Sequence, residues 1–107
     1  MTINIAKDFS KTPGGRYIKE GPFSGEEFRI KLLKPAYEKT IKLGGQLTVV
    51  LDGGFGYTPS FLEEAFGGLV REVKSEDVAK IKIVSEEEPS QISKIASYIA
   101  DALRNNK

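Results

Sequence analysis

The segment Gln46–Asp52, with the sequence QLTVVLD, constrains the fold more than any other part of this chain. Its near-continuous apolar run, Leu47 to Leu51, is typical of a strand that is covered on both faces. The glycines Gly53 and Gly54 follow directly, and an apolar stripe of helical period then runs over about Pro59–Val73. A buried strand that leads through glycines into an amphipathic helix predicts the central unit of an α/β domain.

Two further segments before this unit are predicted to be strands. Thr2–Phe9 alternates the apolar residues Ile3 and Ile5 with polar neighbours, as a half-buried strand does. After a turn at Pro13-Gly14-Gly15, residues Arg16–Lys19 could return as a short second strand.

A helix is predicted to start at Ser24, where Ser24 and Glu27 have the spacing of a capping box. Apolar residues then recur at helical spacing up to Ile41. Pro35 lies inside this pattern, and we expect a kink or two short helices in series there. Gly44-Gly45 ends the segment as a helix C-cap would.

The remaining elements complete an alternating pattern. Lys80–Val84 alternates as a strand, and Ser90–Arg104 carries one apolar helical face. That face consists of Ile92, Ile95, Ala96, Ile99 and Leu103. The order of elements predicts a single α/β domain over residues 1–107, with a small mixed or parallel sheet of about four strands and three main helices mostly on one face.

Composition excludes several function classes. The formal net charge of +1 gives no electrostatic reason to expect nucleic acid or an anionic membrane as a partner. No apolar run approaches the roughly 20 residues of a membrane span, and no signal-peptide layout is present, so we expect a cytoplasmic protein. Without Cys or His, the chain lacks thiolate nucleophiles, the usual neutral-pH base and the commonest metal ligands. We therefore expect no enzyme, no metal and no cofactor.

The loop after the central strand matches neither of two motifs that carry chemistry. Gly54 and Gly56 supply the first two glycines of a dinucleotide fingerprint, but the third is missing, and no P-loop lysine follows. A nucleophile elbow does not match either, since no His could activate Ser60.

The start of the following helix offers two alternative caps. Ser60 and Glu63 have capping-box spacing, whereas Thr58 with Pro59 is an N-cap and N1 pair. A hydroxyl at this position caps the helix and can also face a partner. Glu63 and Glu64 in the first turns would oppose the binding of a phosphate there.

Two stretches carry a resemblance to a known family. SGEEFR, followed by LDGGFGYTPSFLEEAFGGL, resembles a bacterial STAS-like family of unknown function within the STAS superfamily of sulfate transporter and anti-sigma factor antagonist domains. The residues that carry it are Ser24, Gly25, Phe28, Arg29, Ser60, Phe61, Leu62, Glu64, Phe66 and Gly67. The resemblance covers most of residues 20–105 and implies a STAS-like fold.

The resemblance also implies a function. Anti-sigma factor antagonists bind a switch-type kinase, which turns them off by phosphorylating a serine at the start of the helix after the central strand. When Leu62 is matched to the leucine of their Asp-Ser-Ser-Gly-Leu pattern, Pro59 takes the phosphoserine position; a slip of one residue places Ser60 there instead. The implied phosphorylation candidates are Ser60 first and Thr58 second.

We therefore predict a regulatory protein-binding module whose partner is a histidine-kinase-like ATPase or an anti-sigma-type serine kinase. The predicted partner-binding residues are Gly54, Phe55, Gly56, Tyr57, Thr58, Ser60, Glu63 and Glu64. The alternative is a small-ligand or nucleotide sensor that uses the Gly53–Ser60 loop, and a carboxylate-dependent enzyme is a third hypothesis. The oligomeric state and the pathway stay open.

Overall fold

The computed structural model describes residues 1–105 and shows a mixed α/β architecture. Three parallel strands form one sheet in the order β1–β2–β3. They are β1 Thr2–Asn4, β2 Thr48–Val50 and β3 Lys82–Val84. Val49 is paired with Ile3 on one side and with Ile83 on the other. The predicted α/β class and the central place of β2 are confirmed, whereas the described residues form three strands rather than about four.

The helices comprise one short and three long elements, each long helix following the pattern predicted for it. They are α1 (Ile5–Asp8), α2 (residues 25–43), α3 (residues 59–73) and α4 (Ser90–Asn105). Short 3₁₀ helices at Ile18–Glu20 and Glu76–Lys80 precede α2 and β3. Both α2 and α3 contain one π-helical segment, at Arg29–Leu33 and Glu63–Gly67 respectively.

The strand predicted at Arg16–Lys19 does not form. The amide of Tyr17 donates to the Glu20 carboxylate at 2.8 Å, and that of Ile18 donates to Glu26 at 2.9 Å. Side chains therefore take the amides that a neighbouring strand would need, and the Ile18 side chain is half exposed instead of reaching the core.

The first strand is also shorter than predicted, because it ends at Asn4. The Asn4 side chain accepts the amide of Lys7 at 3.1 Å, and the Asp8 carboxylate accepts the amide of Asn4 at 2.8 Å. This pair of local hydrogen bonds caps α1, so Ile5 enters the core from a helix instead of a strand.

Pro35 interrupts α2 in a different way from the expected kink or pair of short helices. The chain widens into the π segment one turn before Pro35, where the Lys34 amide bonds to the carbonyl of Arg29, and the helix then continues to Leu43. Gly44 adopts a left-handed conformation with φ 75°, and Gly45 donates to Thr40 at 3.1 Å. The predicted C-cap is therefore confirmed as a Schellman motif.

The sheet is buried mainly on one face. Leu47, Val49 and Leu51 point into the single core cluster with the apolar side chains of the long helices, and α3 lies between α2 and α4. The intervening Thr48 and Val50 are only half-buried. The apolar run predicted a strand covered on both faces, but the structure covers the second face only partly.

Candidate functional site

The predicted site lies at the carboxyl ends of the strands, where the loop after β2 meets the loop after β3. The Asp52 carboxylate accepts the amides of Glu86 at 3.0 Å and Glu87 at 2.9 Å. In return, the Glu87 carboxylate accepts the amide of Gly53 at 2.8 Å. These reciprocal hydrogen bonds hold the two loops together, so the conformation of the site depends on both.

Tyr57 points inward from this loop. Its hydroxyl donates to the carbonyl of Leu51 at 2.7 Å, and its ring lies 5.8 Å from the ring of Phe61. Burial, with smaller contributions from Asp52 and Glu87, raises the pKa of Tyr57 to about 12. Tyr57 is therefore a protonated anchor of the loop, not a group that ionises near neutral pH.

Phe55 points outward and is 84% exposed, the largest exposure among the large hydrophobic residues that the structure describes. Its amide nevertheless donates to the carbonyl of Lys11 at 2.9 Å. On either side, Gly53 and Gly56 have φ values of 98° and 120°, which a residue with a side chain rarely adopts. The loop thus presents an aromatic ring to solvent from a backbone that is held in place.

Thr58 is the N-cap of α3, which decides between the two caps predicted from the sequence. Its side-chain oxygen accepts the amide of Phe61 at 3.1 Å and donates to the carbonyl of Gly14 at 3.3 Å. Pro59 is the first helical residue and Ser60 the second. Ser60 is half-buried, and its hydroxyl has no hydrogen-bond partner within residues 1–105.

Glu63 and Glu64 take part in internal ion pairs. Glu63 contacts Arg16 at 2.5 Å and Arg71 at 2.8 Å. The hydrogen bond from Arg71, followed by that from Arg16, holds the pKa of Glu63 below its ordinary value although burial acts against this. Glu64 is only 7% exposed, which corrects its predicted place on the partner-binding surface. Its carboxylate lies 2.6 Å from the guanidinium of Arg29 inside the fold.

Arg29 joins α2 to α3. Its guanidinium also donates to the backbone carbonyl of Glu64 at 2.7 Å and to the Glu72 carboxylate at 2.7 Å. A Cβ atom on Gly68 would overlap this guanidinium, so the glycine provides the room it occupies. Neither Arg16 nor Arg29 belongs to the predicted site, although Arg29 and Glu64 are both among the residues that carry the family resemblance.

The starts of α2 and α3 touch each other. The Ser24 side chain accepts the amide of Glu27 at 3.0 Å, as predicted, but Glu27 accepts the amide of Phe23 rather than that of Ser24. A Cβ on Gly25 would overlap the backbone of Phe61, whose ring stacks on Phe28 at 5.8 Å. Residues of the two stretches that carry the family resemblance therefore pack against one another and position the loop.

A cleft of about 300 Å³ opens between the two loops. Its lining includes Asp52, Phe55, Tyr57, Glu87 and Glu88. Three carboxylates make this cleft unfavourable for the phosphates of a nucleotide. Within residues 1–105, no cluster of three or more acidic side chains has the geometry of a metal site. In the same range, no helix is both long and apolar enough to cross a bilayer.

Comparison with known proteins adds one result. A family model described as a STAS-like domain of unknown function (DUF4325) matches residues 24–91, well over half of the 107-residue chain. No curated protein and no solved structure gives a significant match. The matched residues include both helix starts, the Arg29–Glu64 ion pair and the loop that carries Phe55.

Proposed function

Because this chain belongs to the STAS-like domain family of unknown function, we propose that it is a regulatory protein-binding module that resembles anti-sigma factor antagonists. It acts in a bacterial cytoplasm, without catalysis of its own. Its partner is a histidine-kinase-like ATPase or an anti-sigma-type serine kinase. The contact surface is the loop Gly53–Ser60.

The exposure of Phe55 carries this proposal. The Phe55 ring is 84% exposed and is held out from the fold by the loop backbone, so it is available to a partner as an aromatic anchor. The hydrogen bonds of Gly53, Phe55 and Tyr57 hold the loop before any partner arrives, which lowers the entropy cost of binding. Rigid aromatic side chains are frequent anchors of protein interfaces.

The helix start next to Phe55 suggests how binding could be switched. A phosphate on Ser60 or Thr58 would lie at the positive end of the 15-residue helix α3. Glu63 opposes such a group, but its charge is already compensated by Arg16 and Arg71. At Thr58, phosphorylation would also remove the hydroxyl hydrogen that is donated to Gly14. Either modification would add negative charge beside Phe55 and weaken binding.

Affinity purification from the native cells tests the proposal. The wild-type protein is compared with Phe55→Ala and with the matched control Leu43→Ala, which removes another exposed apolar side chain, 73% exposed, at the end of α2. We expect a histidine-kinase-like ATPase to co-purify with the wild type and the control but not with Phe55→Ala. Equal recovery with Phe55→Ala, or recovery of no such ATPase, would contradict the proposal.

The switch is tested on the same samples. Mass spectrometry reads the phosphorylation of Ser60 and Thr58, and the captured ATPase is then titrated with purified wild type, Ser60→Asp and Thr58→Asp. We expect at least one Asp variant to bind about tenfold or more weakly. Unchanged affinity in both variants would contradict the phosphorylation switch and would mean that the protein binds its partner constitutively.

The cleft between the loops supports a second candidate function, a small-ligand sensor. Because Asp52, Glu87 and Glu88 line the cleft, it suits a neutral or cationic molecule better than a nucleotide. A thermal-shift series with ATP, ADP and GTP beside spermidine separates these classes, since a ligand that binds only the native state raises the melting temperature. A shift with the nucleotides alone would favour the nucleotide sensor.

A further inference from the structure

A second and larger cleft lies at the opposite edge of the sheet, where the strands begin. Its volume is about 510 Å³. It is bounded by the end of α2, the segment that leads into β2 and the 3₁₀ helix that leads into β3. The lining includes Tyr37, Ile41, Gln46, Asp77, Lys80 and Lys82. None of these residues belongs to the loop surface that carries the proposed partner-binding function.

Tyr37 gives this cleft an unused hydrogen-bonding group. The residue is only 6% exposed, and its ring is part of the core. No hydrogen bond to its hydroxyl exists within residues 1–105, and no fully buried side-chain oxygen or nitrogen in that range lacks a partner. The Tyr37 hydroxyl must therefore reach the open volume of the cleft. A side chain more than nine-tenths buried thus presents an unpartnered donor there.

Among the charged side chains that line the cleft, one positive charge has no ion-pair partner. Lys80 is paired with Asp77 at 3.0 Å. Lys82 is exposed and forms no ion pair within the described residues. The Gln46 side chain donates to the carbonyl of Lys80 at 3.1 Å, which ties the rim of the cleft together and leaves the amide oxygen of Gln46 as an acceptor. The net charge of these lining groups favours an anion.

The rest of the lining is apolar apart from Thr40, whose hydroxyl donates to the carbonyl of Ala36 at 2.7 Å. Leu47 and Ile81 are buried at the base of the cleft, whereas Ile41 is 46% exposed although it lies beside them. An apolar portion of a ligand would cover Ile41 and remove that surface from water. Convergent polar groups beside an apolar floor are typical of sites for small molecules.

We propose that this cleft binds a small carboxylic acid with an apolar tail. The carboxylate accepts a hydrogen bond from the Tyr37 hydroxyl and faces the ammonium group of Lys82, while the tail lies on Ile41 and Leu47. The site is independent of the loop that carries Phe55, so it can be occupied whether or not a protein partner is bound there.

Titration of the ¹⁵N-labelled protein with hexanoate tests this proposal, with hexylamine as the cationic probe of equal chain length. We expect saturable shifts of the amides in residues 40–47 and 77–82 with hexanoate, at a Kd of about 1 mM or tighter. Hexylamine should bind at least about tenfold more weakly, because its charge opposes that of Lys82.

Three variants locate the binding groups. Tyr37→Phe removes only the hydroxyl, and Lys82→Gln removes the unpaired charge; each should weaken hexanoate binding at least about threefold. Lys94→Gln, at an exposed position of α4, is the matched control and should leave the affinity unchanged. The proposal is overturned by the absence of saturable shifts at these amides, by equal binding of hexylamine, or by unchanged affinity in both Tyr37→Phe and Lys82→Gln.

Discussion

The guanidinium of Arg29 lies 2.6 Å from the carboxylate of Glu64, and both side chains are more than nine-tenths buried. This ion pair joins α2 to α3. Removing the two charges from water costs free energy, and only the attraction between the two opposite charges offsets that cost. The packing of α2 against α3 therefore depends on a contact that is not on the surface.

Removal of one partner of this pair should be strongly destabilising. Arg29→Met removes the nearest guanidinium from the buried Glu64 carboxylate and leaves only the longer contacts with Arg16 at 3.4 Å and Arg71 at 3.6 Å. The free energy of unfolding should fall by about 2 kcal/mol or more. The double variant Arg29→Met with Glu64→Leu should recover much of that loss, because no buried charge is left. Urea unfolding followed by circular dichroism measures both; a loss under about 1 kcal/mol in the single variant would show that the pair has little role.

Gly68→Ala should destabilise the protein although alanine is the better helix former. The added methyl group would overlap the Arg29 guanidinium, which its three partners hold in place, so a loss of about 1 to 3 kcal/mol is expected. Gly67→Ala is the matched control, since its methyl group would meet the ends of the Glu63 and Arg71 side chains, which are partly exposed and can move aside. Equal effects of the two substitutions on the urea midpoint would argue against this explanation.

The two hydroxyls at the start of α3 should contribute unequally to stability. Thr58→Ala removes the N-cap and should cost about 1 kcal/mol, whereas Thr58→Ser keeps the capping oxygen and should cost less. Ser60→Ala should be near neutral, because its hydroxyl caps nothing among the described residues. Thermal melts of the three variants test this ranking, and a larger effect of Ser60→Ala would reassign the cap.

The free energy of unfolding should decrease at acid pH, because two carboxylates that form ion pairs at the helix interface become protonated. Hydrogen bonds from Arg71 and Arg16 lower the pKa of Glu63, and hydrogen bonds from Lys34 and Arg29 lower that of Glu72. In the folded protein both carboxyl groups have a pKa below the ordinary value of 4.5. Their contribution to the free energy of unfolding is therefore fully present above pH 4.5, and it is lost as the pH falls through the pKa values of the folded state.

The urea midpoint measured from pH 7 down to pH 3 checks this dependence. Glu63→Gln and Glu72→Gln should each be less stable than the wild type at pH 7 and should lose less stability on acidification. Parallel pH profiles for the wild type and both variants would mean that other carboxylates are responsible.

Much of the fold could be predicted from local patterns. The helix over Pro59–Val73, the C-cap at Gly44 and the central place of β2 were all predicted, since each depends on residues close together in the chain. The pattern failed at Arg16–Lys19, where the carboxylates of Glu20 and Glu26 take the amides that a strand would use. Nothing in the local sequence specifies which of these acceptors a backbone amide will meet.

The loop between β2 and α3 was predicted in its position but not in its internal contacts. Its place in the chain follows from the strand, the glycines and the helix start. Glu64 was placed on the surface because it stands among the polar residues of the first turns of α3. Its burial depends on Arg29, which lies 35 residues earlier in the chain and meets it only in the folded protein.

The sequence alone determined the alternation of strands and helices, the apolar face of α3 and the absence of His and Cys chemistry, because periodicity and composition are local properties. Only the tertiary structure decided which hydroxyl caps α3, which of Phe55 and Tyr57 reaches solvent, and which carboxylates are buried. Those outcomes depend on the contacts of Gly14 with Thr58, of Lys11 with Phe55 and of Arg29 with Glu64. Each contact joins α2, or the segment before it, to the loop or to α3. Such long-range contacts are selected by the shape and charge of the assembled core.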